Sequence, residues 1–116
     1  MLIRQADGQT YTQESVACLG TSATILFSQG CTIPVATLLA APYNLPWGSS
    51  IFATILATNA YGTSVQSDPG NGAIILTVPS KPNVSNDVAN TNAQQITIVW
   101  VDPVQTGGTP ILDYSI

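Results

Sequence analysis

The chain has 116 residues, enough for one domain with a real core but not for two. Hydrophobic residues make up 45% of it and charged residues only 7%, with a formal net charge of −4. Two basic side chains cannot form a patch for nucleic acid, and no apolar run is long enough for membrane insertion. A surface this poor in charge should either associate with another surface or be kept hydrated by other groups, such as glycans.

The composition also bears on catalysis. The chain has no histidine, which rules out a Ser-His-Asp or Cys-His arrangement. Its six acidic residues are scattered singly, and Asp7, Asp68 and Asp102 stand beside Gly or Pro, as turn formers do. We therefore predict no catalytic, cofactor-binding or metal-binding residues, and a protein that is not an enzyme.

The first predicted element is a strand at the start of the chain. Met1–Gly8 is an extended run that ends in Asp7-Gly8, a favoured hairpin dipeptide. At the other end, Pro110–Ile116 is an extended run that stops partway through a strand. Joined tail to head, the two runs give one continuous strand. We therefore expect the chain to be one period of a tandem array or polymer.

Cys18 and Cys31 enclose a segment of twelve residues. We predict a disulfide between them, which would stabilise the fold by about 3 kcal/mol, although a pair of free thiols is the alternative. Without histidine, two cysteines are too few for a zinc site. A disulfide implies an oxidising setting, so we expect an extracellular or cell-surface location.

The middle of the chain predicts strands. Ile51–Thr58 alternates, which places one set of apolar side chains on one face: Ile51, Ala53, Ile55 and Ala57. A shorter β-branched run follows at Ala73–Val78. Pro79–Pro82 then predicts an extended linker, because two prolines exclude helix and central strand.

Asn83-Val84-Ser85 is an N-glycosylation sequon in a stretch that we expect to be exposed. Such triplets also occur by chance. Together with the predicted disulfide and the charge-poor surface, it makes Asn83 the predicted site of an N-linked glycan.

The last predicted strand is Ile96–Trp100, in which Ile96, Ile98 and Trp100 share a face. We find no apolar period of 3.6 residues over a helical length. Short strands separated by Gly, Pro and Asn turns predict an all-β fold, namely a β-sandwich.

Several phrases resemble fibronectin type III repeats. Leu45-Pro-Trp-Gly48 and Ile55–Ser64 are similar to that family's E–F turn and F strand. Trp100 stands where strand B carries the core tryptophan, and Tyr114 resembles the strand-C tyrosine. Pro79 and Pro82 match the linker and the A strand. The resemblance implies an immunoglobulin-like sandwich.

The order of the resembling strands is rotated. Residues 1–78 correspond to strands C′, E, F and G of one repeat, and residues 79–116 to strands A, B and C of the next. The sandwich is therefore expected to be completed between adjacent repeats or subunits. One departure is that Ile51 occupies the position of the family's tyrosine corner, so the usual hydroxyl bond cannot form there.

A narrower resemblance is to the multi-repeat surface proteins of ciliated protozoa. It is carried by the Cys18–Cys31 insertion, by Cys31-Thr-Ile-Pro34 and by Ala41–Gly48.

The leading functional expectation is a structural repeat of an extracellular fibre or surface coat, with copies of itself or adjacent repeats as partners. The residues expected in the shared core or assembly surface are Leu45, Ile51, Ile55, Ala57, Ile96, Ile98, Trp100 and Tyr114. Two alternatives stay open. One is an adhesion or ligand-binding module that uses the Cys18–Cys31 insertion. The other is an engineered circular permutant, which is disfavoured because permutants are normally opened in loops.

Overall fold

The computed structural model describes residues 1–116 as short antiparallel strands with little helix. Two compact units divide the chain, Met1–Ile75 and Leu76–Ile116, called unit 1 and unit 2 below. Neither forms a closed sandwich. The elements are β1 Leu2–Arg4, β2 Tyr11–Gln13, α1 Ala23–Ser28, α2 Val35–Leu39, β3 Ala53–Thr54, β4 Thr58–Asn59, β5 Gly62–Thr63, β6 Asn83–Asn86 and β7 Ile98–Val101.

The main sheet of unit 1 has the order β2-β1-β3, with both pairings antiparallel. The turn between β1 and β2 is the hairpin predicted at Asp7-Gly8. The Asp7 carboxylate accepts hydrogen bonds from the backbone N–H groups of Gln9 and Thr10, both at 2.9 Å. Gly8 takes a positive φ of 74°, which a residue without Cβ adopts at no steric cost.

The core of unit 1 is small. Ile3, at the centre of β1, is fully buried, and it packs with four further buried side chains: Leu38, Tyr43, Leu45 and Ile75. The neighbours of Ile3 in the strand, Leu2 and Arg4, are only half-buried, as expected for alternation along a strand with one covered face.

Two short helices depart from the all-β prediction. α1 lies inside the Cys18–Cys31 segment, and α2 begins directly after Pro34. Each has at most six residues, too few to show a 3.6-residue apolar period in the sequence. α1 ends where Gln29 enters the left-handed region at φ 53°, just before Gly30. The prediction of strands and turns throughout the chain is wrong at these two places.

The predicted strand Ile51–Thr58 is broken into two short pieces. Between the two pieces, Ser67 Oγ accepts from the Ile55 N–H and Ser64 Oγ from the Ala57 N–H, both at 3.0 Å. The backbone N–H groups of the same two serines donate to the carbonyls of Ile55 and Ala57, at 3.0 and 2.8 Å. The run Ala73–Val78 likewise gives no regular strand, only an isolated bridge between Ile74 and Ser50.

Unit 2 consists of the antiparallel pair β6–β7 and the segments around it. The extended entry at Pro79–Pro82 is tied down by the Ser80 N–H, which donates to the Gln105 carbonyl at 2.8 Å. The predicted strand over Pro110–Ile116 is not formed. In all of unit 2, only Pro103 and Gly107 are buried.

Candidate assembly surfaces

The pairing of β6 with β7 shows which side chains lie on each face of this two-stranded sheet. Val84 is directly opposite Trp100, and Asn86 is opposite Ile98. Directly opposed residues point to the same side, so these four form one face, which we call the Trp100 face. Asn83 and Ser85, opposite Val101 and Val99, form the other face.

Tyr114 extends the Trp100 face. The ring centroids of Trp100 and Tyr114 are 5.6 Å apart at an interplanar angle of 59°, a favourable tilted aromatic pair. The Tyr114 hydroxyl donates to the Asp102 carboxylate, and this hydrogen bond raises the pKa of Tyr114. The structure thus brings together the two aromatic residues that the sequence placed in one core.

Apart from the contact of Tyr114 with Trp100, this face is largely open. Trp100 is 39% exposed, Ile98 57% and Val84 66%. Twelve large apolar side chains of unit 2 are exposed in total: Leu76, Val78, Val84, Val88, Ile96, Ile98, Val99, Trp100, Val101, Val104, Leu112 and Ile116. Of these, Val84, Ile98 and Trp100 share one face of the sheet, and a contiguous exposed apolar patch on a protein surface marks an interaction site.

Unit 1 carries an open groove of about 370 Å³, called the Ile55 groove below. Its apolar lining comes from the broken strand and from the segment beside it, and Asp68 is its only charged lining residue. The lining residues are Ile51, Ala53, Ile55, Ser67, Asp68, Gly70, Asn71 and Ala73.

The disulfide predicted between Cys18 and Cys31 is present, with the two Cα atoms 5.4 Å apart. Cys18 is buried, whereas Cys31 is exposed. The segment that it closes presents α1 to solvent, with Phe27 94% exposed and Leu26 66% exposed.

Glu14 and Tyr43 form a buried polar cluster that was not predicted from the sequence. Glu14 is 4% exposed and Tyr43 2% exposed. The Glu14 carboxylate accepts from the backbone N–H groups of Val16 and Ala17, at 2.8 and 2.9 Å, and from the Tyr43 hydroxyl at 3.1 Å. The two backbone bonds lower the pKa of Glu14, while burial raises the pKa of Tyr43 to about 12. The Glu14-x-Val16 spacing carries no motif that would have identified it.

One cation has an aromatic partner. The Arg4 guanidinium lies 3.7 Å from the centre of the Phe52 ring, a cation–π contact.

The remaining predicted core or assembly residues divide into two groups. Leu45 is buried in the unit 1 core, and Ile51 packs against that core while half-exposed. Ile55, Ala57 and Ile96 are exposed. Within a single chain, the predicted assembly residues therefore remain largely uncovered.

No group of three or more His, Cys, Asp and Glu side chains is placed to hold a metal ion. Neither helix has the length and apolar character that crossing a membrane requires. A comparison with known protein families found no match, and no solved structure matches the chain.

Proposed function

We propose that the chain is a structural repeat unit of an extracellular fibre or cell-surface coat, and that its copies assemble by β-sandwich complementation. The Trp100 face of one copy packs into the Ile55 groove of the next, so that strands from two copies build one core. In a covalent tandem array, the same two surfaces meet between successive repeats. The fibronectin type III resemblance, with its rotated strand order, suggests this arrangement.

The observation that carries the proposal is the missing core of unit 2. It exposes Ile98 and Trp100 while burying only Pro103 and Gly107. Burial of each large apolar side chain is worth roughly 1.5–3 kcal/mol, so a second surface that covers several of them gains much of the stability of a small domain.

Backbone pairing supports the same partner. The β6–β7 pair has only two strands, so the outer edge of each strand offers unpaired N–H and C=O groups. A two-stranded sheet is marginal in water by itself. Strand addition by a neighbouring copy would satisfy these groups and cover the apolar side chains at the same time.

Each of the two surfaces carries a single acidic group at the proposed contact. Asp68 is the only charged residue that lines the Ile55 groove. On the other surface, the Asp102 carboxylate accepts a hydrogen bond from Tyr114. These two carboxylates repel each other, so the contact requires them to stay apart and hydrated while the apolar side chains beside them are buried.

The first test compares the two faces of one strand. Ile98→Thr with Trp100→Thr removes apolar area from the Trp100 face, and threonine keeps a high strand propensity. Val99→Thr with Val101→Thr makes the matched change on the opposite face. Light scattering after size exclusion, over a range of concentrations, should show association of the parent chain. The first double variant should need a concentration higher by roughly 100-fold or more, corresponding to about 3 kcal/mol.

A mixing experiment tests which surfaces meet. Ala73→Arg places a charge in the Ile55 groove and leaves the Trp100 face intact, whereas the Ile98→Thr, Trp100→Thr variant has the reverse defect. Alone, each variant should stay monomeric. Mixed, they should form dimers that cannot extend, because one intact face meets one intact groove. Failure of the mixture to associate, while the parent chain does, would exclude the pairing of these two surfaces.

The alternative is an adhesion or ligand-binding module, and exposed Leu26 and Phe27 on α1 favour it. Leu26→Ser with Phe27→Ser tests whether α1, rather than the Trp100 face, carries the contact between copies. In the proposed fibre this variant associates as the parent chain does. If this variant loses association and the Trp100-face variant does not, the contact between copies lies on the disulfide-closed segment and not on the Trp100 face.

A further inference from the structure

The sequon Asn83-Val84-Ser85 forms the first three residues of β6, and its residues alternate between the two faces of the sheet. Asn83 and Ser85 lie on the face opposite Trp100, with Val101 and Val99 as their direct partners. Val84, between them, lies on the Trp100 face. The glycan acceptor and the apolar patch are thus on opposite sides of one two-stranded sheet.

We propose that Asn83 carries an N-linked glycan and that this glycan covers the face away from Trp100. Only the Trp100 face of the β6–β7 sheet is then free to contact another copy, which is the one-sided arrangement referred to below. The second part of this proposal rests on the proposed function, and the first part does not.

The modification is a simple group transfer. The Asn83 side-chain nitrogen forms a bond to the anomeric carbon of an oligosaccharide carried on a lipid diphosphate. The bond from that carbon to the diphosphate oxygen breaks, the lipid diphosphate leaves, and the amide nitrogen loses one proton to a base. Ser85 supplies the hydroxyl residue that the acceptor triplet requires.

Three properties of the site fit such a glycan. Asn83 is exposed, so a large substituent at its side-chain nitrogen displaces no core packing. The Cys18–Cys31 disulfide is stable in the oxidising compartments in which N-linked glycans are added. Val99 and Val101 are exposed on the same face, 41% and 62%, in a chain with only 7% charged residues to keep it hydrated. A glycan there shields apolar area that the proposed contact leaves uncovered.

The effect of a glycan on assembly should depend on which face of the β6–β7 sheet carries it. A glycan at Asn83 points away from Val84 and Trp100, so it should leave assembly intact. A glycan on the Trp100 face would occupy the space that the neighbouring copy needs.

The first measurement is occupancy. The full chain is secreted from eukaryotic cells behind an export signal, and the peptides that span Asn83 are weighed before and after removal of N-linked glycans. We expect most Asn83 to be modified, none in Ser85→Ala, and undiminished modification in Asn86→Gln, which changes the same strand outside the triplet. Recovery of Asn83 entirely unmodified in the parent chain overturns the modification.

The second measurement is association. The secreted parent chain is compared with the same chain from cells in which synthesis of the lipid-linked oligosaccharide is inhibited, and with Asn83→Gln. We expect the three to associate at the same concentration within about a factor of three, a difference below 1 kcal/mol. Association that occurs only without the glycan overturns the one-sided arrangement.

A relocated sequon completes the test. Val84→Asn with Asn86→Thr, in the Asn83→Gln background, moves the acceptor to the Trp100 face. Its matched control is Val84→Asn alone in the same background, which makes the same polar change on the Trp100 face but completes no acceptor triplet. Made without the glycan, the two variants should associate at the same concentration, and glycosylation should abolish association only in the variant with the relocated triplet. If no form of the parent chain associates, the proposed function fails, while the occupancy measurement still decides the modification by itself.

Discussion

At the scale of single residues, Glu14 is the buried side chain with the most hydrogen bonds. It is buried, it accepts two backbone hydrogen bonds, and it accepts a third from the buried hydroxyl of Tyr43. Hydrogen bonds to a charged acceptor are stronger than neutral ones, and loss of the acceptor leaves the donors unpaired. This cluster joins the end of β2 to the segment after α2 in unit 1.

Glu14→Gln keeps one acceptor oxygen but removes the charge and places an amide donor where a second acceptor stood, so we expect it to destabilise the chain by about 1–3 kcal/mol at neutral pH. The folded-state pKa of Glu14 is lowered from its ordinary value of 4.5, so its contribution is present above that pH and is lost as the pH falls below it. The gap in unfolding free energy between parent and variant should therefore shrink in acid, as measured by urea denaturation at several pH values. Tyr43→Phe, which keeps both backbone bonds, should cost less. A gap that stays constant down to acid pH would contradict this role of the carboxylate.

Gly107 is a second position at which a small change, the addition of a Cβ atom, should affect stability. It has a φ of 84°, and a Cβ built there would overlap the backbone carbonyl of Thr77, whose N–H donates to the Gly107 carbonyl at 3.0 Å.

Gly107→Ala should therefore destabilise unit 2 by more than the roughly 1–2 kcal/mol that a left-handed alanine costs. Gly8→Ala is the matched control, because Gly8 has a similar φ of 74° but no atom within 4 Å of the added carbon. Amide exchange within each unit would measure both costs. Equal costs at the two positions would show that the overlap with Thr77 is relieved without penalty.

At the scale of elements, the sequence predicted the parts that rest on short-range chemistry. The Asp7-Gly8 hairpin, the Cys18–Cys31 pairing and a strand near Ile98 are all present. The two helices could not be predicted, because a helix of one or two turns leaves no periodic signal and its formation depends on packing and closure. The breaks in the run from Ile51 to Thr58 could not be predicted either, since there the N–H groups of Ile55 and Ala57 bond to serine side chains twelve and seven residues away, which no alternation within the run reveals.

The disulfide-closed segment gives an element-scale prediction. Cys18→Ala with Cys31→Ala should lower the unfolding free energy by about 3 kcal/mol and should loosen α1. Chymotrypsin should then cut after exposed Phe27 faster than in the parent chain. Cleavage after exposed Tyr61, in the tight turn between β4 and β5, serves as the control and should not change. Equal cutting after Phe27 with and without the bond would show that packing, and not the bond, holds the segment.

At the scale of the whole molecule, the apolar side chains are unevenly covered. Unit 1 has a core around fully buried Ile3. Unit 2, in contrast, exposes residues that we predicted to lie in a core shared between copies, Ile98 and Trp100 among them. The sequence could indicate which residues share a face, because alternation is local. It could not determine what covers that face, because the covering surface is a separate stretch of chain or, as proposed, another copy.

Because unit 1 has a buried core and unit 2 leaves its apolar side chains exposed, we expect protection from amide exchange to depend on protein concentration only in unit 2. In dilute solution the amides of β7 should exchange faster than those of β1, since β1 lies between two strands over a buried core and β7 has a single partner strand. Raising the concentration should slow exchange in β7 and leave β1 unchanged, because association covers the Trp100 face. The Ile98→Thr, Trp100→Thr variant should show no such change, whereas Val99→Thr with Val101→Thr should behave as the parent chain does. If β7 is as protected as β1 at the lowest concentration, unit 2 is stable by itself, and the physical reason for assembly through this face disappears.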